Sequence, residues 1–120
     1  MRRLYTVILL CFVIAGCQNN TLDGVYRTYH DNGEIKSSTF VRNGILHGPS
    51  VHYYPDGNIK FKSSYHRGVL NGISEHYFEN GQLKSQATYE FGLLNGDSYE
   101  YSSDGNIKST VQFKNGYLIK

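Results

Sequence analysis

Three sets of side chains in this sequence have the chemistry to catalyse a reaction or hold a ligand: five histidines, a serine that recurs two residues after a glycine, and aspartates next to glycines. Spacing decides what each can do. His52 and His76 are 24 residues apart and hold the same place in a repeated unit. Equivalent positions of consecutive hairpins are two strands apart, roughly 10 Å, whereas nitrogens sharing one zinc ion approach to roughly 3–4 Å. The histidines are therefore expected as solvated or edge residues, and His47 simply takes the place of Asn71 and Asn95 in its column. Gly48-Pro49-Ser50, Gly72-Ile73-Ser74 and Gly96-Asp97-Ser98 begin like a nucleophile elbow but lack its second glycine and the strand-to-helix turn that exposes the serine. A nucleophile is needed once, so three copies predict a hydrogen-bonding role beside a link. Asp31, Asp56 and Asp104 lack the alternating acidic ligands of a calcium loop and are expected as turn formers. No glycine-rich phosphate loop and no paired carboxylates outside turns are present, so no enzyme activity, cofactor, metal or small-molecule substrate is predicted.

The first residues need a separate reading. Arg2 and Arg3 precede an apolar run from Leu4 to Ala15, which is followed by Gly16 and Cys17. This almost uninterrupted stretch of twelve residues falls short of the roughly 20 that span a bilayer, and the order of positive, apolar and small residues is that of a secretory signal. Ile14-Ala15-Gly16-Cys17 resembles the lipobox of bacterial lipoproteins, with isoleucine where leucine is commoner. That resemblance implies cleavage before Cys17 and acylation of its sulfur. Several acyl chains would then hold the protein on membrane lipid, since one chain alone binds marginally. Gln18 in place of aspartate implies delivery to the outer membrane, facing the periplasm, in a two-membrane host. With Cys11 removed and Cys17 acylated, no thiol is left for a disulfide. Without Arg2 and Arg3 the 12 basic residues become 10, against 10 acidic ones. A neutral domain lacks the positive footprint that nucleic acid requires.

Everything after the anchor repeats with a period of 24. Gly33, Gly57, Gly81 and Gly105 form one column; Gly44, Gly68, Gly92 and Gly116 a second; Gly24, Gly48, Gly72 and Gly96 a third. Each glycine of the first column follows Asn or Asp, which predicts four two-residue type I′ hairpins with positive φ at both central residues. Tyr29, Tyr53, Tyr77 and Tyr101 share a column, as do Ile35, Ile59, Leu83 and Ile107. Period-two spacing joins the second of these to Val41, Tyr65, Tyr89 and Phe113, which predicts strands. The return segment Gly44-Ile45-Leu46-His47-Gly48 is expected to be a link whose leucine plugs the sheet edge, as at Leu70, Leu94 and Leu118. The expected fold is all-β: an up-and-down antiparallel meander of about eight strands in an elongated or curved single sheet.

The core Tyr-x-x-Asn/Asp-Gly-x-Ile/Leu-Lys, as in Tyr77 to Lys84, and the link Gly-x-Leu-x-Gly resemble the MORN repeat, and more closely its variant form in bacterial proteins. The last copy departs from the pattern with Lys120 in place of the closing glycine and reads as a cap. The implied organisation is a signal peptide at 1–16, a lipidated tether at 17–22 and a repeat domain at 23–120. What the resemblance implies is a β-hairpin sheet used for binding and spatial organisation: a membrane-anchored, non-catalytic scaffold with a protein partner. Some bacterial members are regarded as antitoxins, so neutralisation of a toxin is the alternative.

Two columns are candidates for partner contact. Lys36, Lys60, Lys84 and Lys108 would project as a row of positive charges about 10 Å apart, facing acidic groups or lipid headgroups, or serving as a solvated flank that discourages aggregation. Tyr54 and Phe78 adjoin the core tyrosines and should face the other side of the sheet, either as an exposed binding surface or as a second core. The apolar columns alone bury too little to offset the ordering of the chain, so the second face is expected to be covered by the sheet itself or by a partner.

Overall fold

The computed structural model describes residues 22–120; the signal-like segment and Cys17 lie outside the described residues. Ten strands follow in order: β1 (Gly24–Tyr29), β2 (Ile35–Arg42), β3 (Ile45–Tyr53), β4 (Ile59–His66), β5 (Val69–Leu70), β6 (Gly72–Tyr77), β7 (Leu83–Glu90), β8 (Leu93–Tyr101), β9 (Ile107–Lys114) and β10 (Tyr117–Leu118). They form one open antiparallel meander in which each long strand pairs with the next and β5 pairs with β4. Eight long strands match the expectation. The two-residue strands β5 and β10 repeat the segment that opens β3 and β8, so the short additions follow the same period. The sheet measures 56 × 40 × 17 Å, and its 17.9 Å radius of gyration exceeds the roughly 13 Å of a compact 100-residue domain.

The turns differ from the sequence expectation in an informative way. At the Asn/Asp-Gly sites only the glycine has positive φ, for example 89° at Gly33 and 92° at Gly57. The N–H of Gly33 donates to the His30 carbonyl at 2.9 Å, and that of His30 donates to the Glu34 carbonyl at 2.8 Å. This is a three-residue loop, a type I turn closed by a left-handed glycine, and not the expected type I′ turn. The Asn or Asp acts through its side chain instead, with Oδ1 of Asn32, Asp56 and Asn80 accepting the N–H two residues on, at 3.0 Å in each case. That local bond holds the preceding residues in right-handed geometry and removes any need for positive φ at the Asx residue.

The type I′ turns lie in the other glycine column. Asn43-Gly44 (51°, 74°), Arg67-Gly68 (48°, 84°), Phe91-Gly92 (48°, 82°) and Asn115-Gly116 (49°, 84°) have positive φ at both residues. The predicted Gly44–Gly48 link is therefore not a loop. Residues from Ile45 onward open β3, and Leu46 lies opposite Val41. The leucines do not plug an edge: Leu46, Leu70 and Leu94 are half-buried on the sheet, and Leu118 is exposed.

Successive hairpins are clasped at this edge. The carbonyls of Leu22, Leu46, Leu70 and Leu94 accept the N–H of Gly44, Gly68, Gly92 and Gly116 at 3.0, 2.8, 2.7 and 2.8 Å. The next side chain in each case, Asp23, His47, Asn71 or Asn95, accepts the N–H of Asn43, Arg67, Phe91 or Asn115 at 2.5, 3.4, 3.2 and 3.1 Å. Each turn is thus satisfied by the repeat before it, 20 residues away in sequence for these side-chain bonds.

No hydrophobic side chain among the described residues is fully buried; the buried residues are Ser50, Ser63 and Ser74. The apolar columns are half-buried in the inner hairpins, while Tyr29 and Ile107, in the outer ones, are each 60% exposed. A single sheet has nothing stacked on it, so the hydrogen-bond ladder and the clasps carry what a dry core carries in a two-layer fold.

The second column of glycines tests this. A Cβ at Gly44 would meet nothing within 4 Å, whereas one at Gly68 would lie 2.9 Å from Ile45 Cγ2. Gly44→Ala is expected to cost about 1–2 kcal/mol from left-handed φ alone, and Gly68→Ala measurably more, as read from urea unfolding midpoints. Equal losses would contradict the packing of Ile45 over the next turn.

Candidate functional site

Cross-strand partners share a face, so the register sorts the side chains. One row crosses the sheet through Thr28, Ser37, His52, Phe61, His76, Ser85, Glu100 and Ser109, each opposite the next. Two residues further along each strand lies a row of mostly small side chains: Thr39, Ser50, Ser63, Ser74, Ala87 and Ser98, with Tyr26 and Val111 at its ends. A third row on the same face pairs Val41 with Leu46, Tyr65 with Leu70, Tyr89 with Leu94, and Phe113 with Leu118. Small residues between two lines of large ones make a trough. It encloses about 450 Å³, floored by Ser74, Ala87 and Ser98 and walled by Phe61 and His76 on one side and Leu70 and Tyr89 on the other. This volume is within the range of ligand-binding clefts.

Phe61 stands between the two histidines, its ring centroid 5.9 Å from that of His52 and 4.5 Å from that of His76. A phenyl ring therefore fills the space that a shared ion would need. Burial, and then the charge of Lys84, hold the His76 pKa below its ordinary value, so the trough presents a neutral imidazole near pH 7. Glu100 and Ser109 add polar groups at the far end. The set offers aromatic faces and scattered donors and acceptors, with no nucleophile, base and orienting group aligned for catalysis.

The serine column behaves differently from expectation. Ser50 Oγ is 3.1 Å from Thr39 Oγ1, as a hydrogen-bonding role requires. Ser74 and Ser98 Oγ are buried without a partner, as is Ser63 Oγ. Their contribution is size: Ser63 is 2% exposed and Ser74 6%, and Ala87 does the same work without a hydroxyl. Repetition of serine was visible in the sequence, but the register that lines it up with Ala87 and Thr39 was not.

The structure brings the predicted lysine and aromatic columns together at the Asn/Asp-Gly edge. Lys60 Nζ lies 5.7 Å from the Tyr54 ring centroid, and Lys84 Nζ lies 5.7 Å from that of Phe78, within cation–π reach. Tyr54 and Phe78 are half-buried, and the Tyr54 hydroxyl donates to the Tyr77 carbonyl of the next hairpin at 2.8 Å. In the first hairpin, His30 Nε2 makes the matching contact to the Tyr53 carbonyl at 2.9 Å. All four lysines, Lys36, Lys60, Lys84 and Lys108, are exposed. Nearby, Tyr77 donates to Glu75 at 2.7 Å. Burial first, then this bond and the Glu75 charge, push its phenol up to about 12.

The model of the MORN repeat variant family matches this chain four times, over residues 22–43, 46–67, 70–90 and 94–115. No curated protein matches it.

Two substitutions probe these assignments. Ser74→Ala removes an unpaired buried hydroxyl and should raise stability by up to about 1 kcal/mol; a loss of stability would mean that the hydroxyl is bonded. His47 accepts the Arg67 N–H through Nδ1, and burial, then the charges of Arg42, His66 and Arg67, lower its pKa from 6.5. A folded pKa below the unfolded one means that this contribution is complete above about pH 6.5 and is lost as pH falls through the folded value. His76 acts in the same direction. His47→Asn, which keeps an acceptor as at Asn71 and Asn95, should reduce the fall in thermal midpoint between neutral and mildly acidic pH. An unchanged fall would exclude His47 as its source.

Proposed function

The chain belongs to the MORN repeat variant family, and on that premise we propose that it is a membrane-anchored lipoprotein whose repeat sheet is a non-catalytic protein-binding module. The observation that carries this reading is the trough, a walled, partly apolar face on a sheet that has no second layer to cover it. A polypeptide segment laid in it would shelter Phe61, Leu70 and Tyr89 from water and meet His76, Glu100 and Ser109 with its polar groups. Lys36, Lys60, Lys84 and Lys108 each precede a trough-face residue in their strands, so by alternation they form a cationic row on the opposite face, with the Tyr54 and Phe78 rings beside two of them. The lipobox-like segment ending at Cys17 supports attachment through an acylated cysteine, with 18–22 as a short tether.

Both halves are tested in one strain. Metabolic labelling with palmitate should mark the chain and fail for Cys17→Ala; label retained by the variant rejects the anchor. A photo-crosslinking residue in place of Tyr89 should capture a discrete protein adduct, and one in place of Thr110, which lies opposite Tyr99 on the other face, should not. Equal capture from both faces, or none from the trough, rejects that trough as the binding face.

A further inference from the structure

The second hairpin differs from its neighbours at the type I′ edge. Arg67 occupies the column held elsewhere by Asn43, Phe91 and Asn115, and His47 the column held by Asp23, Asn71 and Asn95. Arg42, which ends β2, lies opposite Ile45, and His66, which ends β4, opposite Val69. The imidazoles of His47 and His66 stand 5.0 Å apart, and the Arg67 N–H points to His47 Nδ1. Leu46 faces the trough beside Val41, so alternation along β2 and β3 places Arg42 and His47 on the opposite face of the sheet. Arg42, beside the Asn43-Gly44 turn, and Arg67, in the Arg67-Gly68 turn, thus come to the same sheet edge as the two imidazoles.

We propose that Arg42, His47, His66 and Arg67 form a binding site for a phosphate group on the outer face of the second hairpin. Burial first, and then the positive charges of Arg42 on β2, His66 on β4 and Arg67 in the turn, lower the His47 pKa, and the charged neighbours all have one sign. A tetrahedral oxyanion relieves this repulsion and accepts from both guanidinium forks, whose planar donors match phosphate oxygens. It also stabilises the protonated form of His47, so binding takes up protons and strengthens as pH falls.

A lipid headgroup and a soluble phosphate share this chemistry. The headgroup is favoured by the surroundings: Ile45 and Val69, 50% and 43% exposed, flank the cluster, and the chain enters the sheet on this edge, where the Leu22 carbonyl holds the Gly44 N–H. The lipid source rests on anchoring at Cys17 as proposed above; the phosphate site itself does not.

The test uses the full chain in detergent, with the imidazole resonances of His47 and His66 followed during titration with inorganic phosphate and with sulfate, which stays dianionic and isolates imidazole protonation. Saturable shifts of both rings are expected, tighter at pH 6 than at pH 7.5. Arg67→Asn should weaken phosphate binding by about tenfold or more, the loss of a charge-assisted bond, while urea unfolding stays near that of the parent because Asn43 and Asn115 already occupy this column. Absent shifts, or shifts unchanged by Arg67→Asn, overturn the site. To separate the sources, Phe91→Trp, a lone tryptophan on the adjacent turn, is placed in vesicles of phosphatidylcholine with brominated phosphatidylglycerol. Quenching that Arg67→Asn reduces assigns the phosphate to a headgroup; phosphate-dependent ring shifts without quenching assign it to a soluble ligand. Palmitate labelling reads the anchor separately, so failure of either proposal leaves the other measurable.

Discussion

Left-handed backbone at fixed intervals is the constraint on which the rest of this molecule depends. Each hairpin reverses at a glycine with φ near 90° and is joined to the next by a turn with two consecutive positive-φ residues. These reversals set the register, and the register decides which side chains share a row. Asn tolerates the first left-handed position at Asn43 and Asn115 through its short polar side chain. Arg67 and Phe91 have no such ease. They are held there by the carbonyls of Leu46 and Leu70 and by the acceptors His47 and Asn71, so the preceding hairpin stabilises a conformation that the local sequence disfavours.

A sheet built this way needs no second layer to remain ordered, and it leaves a face free. The row from Thr39 to Ser98 consists of side chains too short to fill the space between the aromatic row and the leucine row. The same smallness explains why serines and no large hydrophobic residues are the most buried groups. Packing that would close a two-layer domain is withheld, and the resulting trough is the feature that a binding module requires. The family assignment suggests a binding repeat module, and an uncovered, grooved face is compatible with one.

Variation between the copies is concentrated. The Asn/Asp-Gly loops are nearly interchangeable, each using an Asx oxygen and a glycine in the same way. The type I′ edge is not: Arg67 puts a fixed positive charge on the second hairpin beside His47, while in the third Phe91 is apolar and 74% exposed. A repeat fold can change such positions one at a time because each repeat contacts mainly its neighbours. Turn residues whose side chains face solvent are the ones freed from the duty of holding the sheet.

From the sequence alone the period and the antiparallel meander were legible, because glycine columns and period-two alternation follow from backbone sterics and need no knowledge of distant contacts. The identity of the turns was not. Asn32-Gly33 and Asn43-Gly44 look alike as dipeptides, and only the Asx bond to Glu34 in one case and the Leu22 and Asp23 clasp in the other separate a type I loop from a type I′ turn. The trough was likewise hidden, since its floor is made of two separate sequence columns, Thr39-Ser63-Ala87 and Ser50-Ser74-Ser98, which meet only through strand pairing. Local propensity fixes where a chain can reverse; which side chains then lie together depends on register across strands, a property of the assembled sheet.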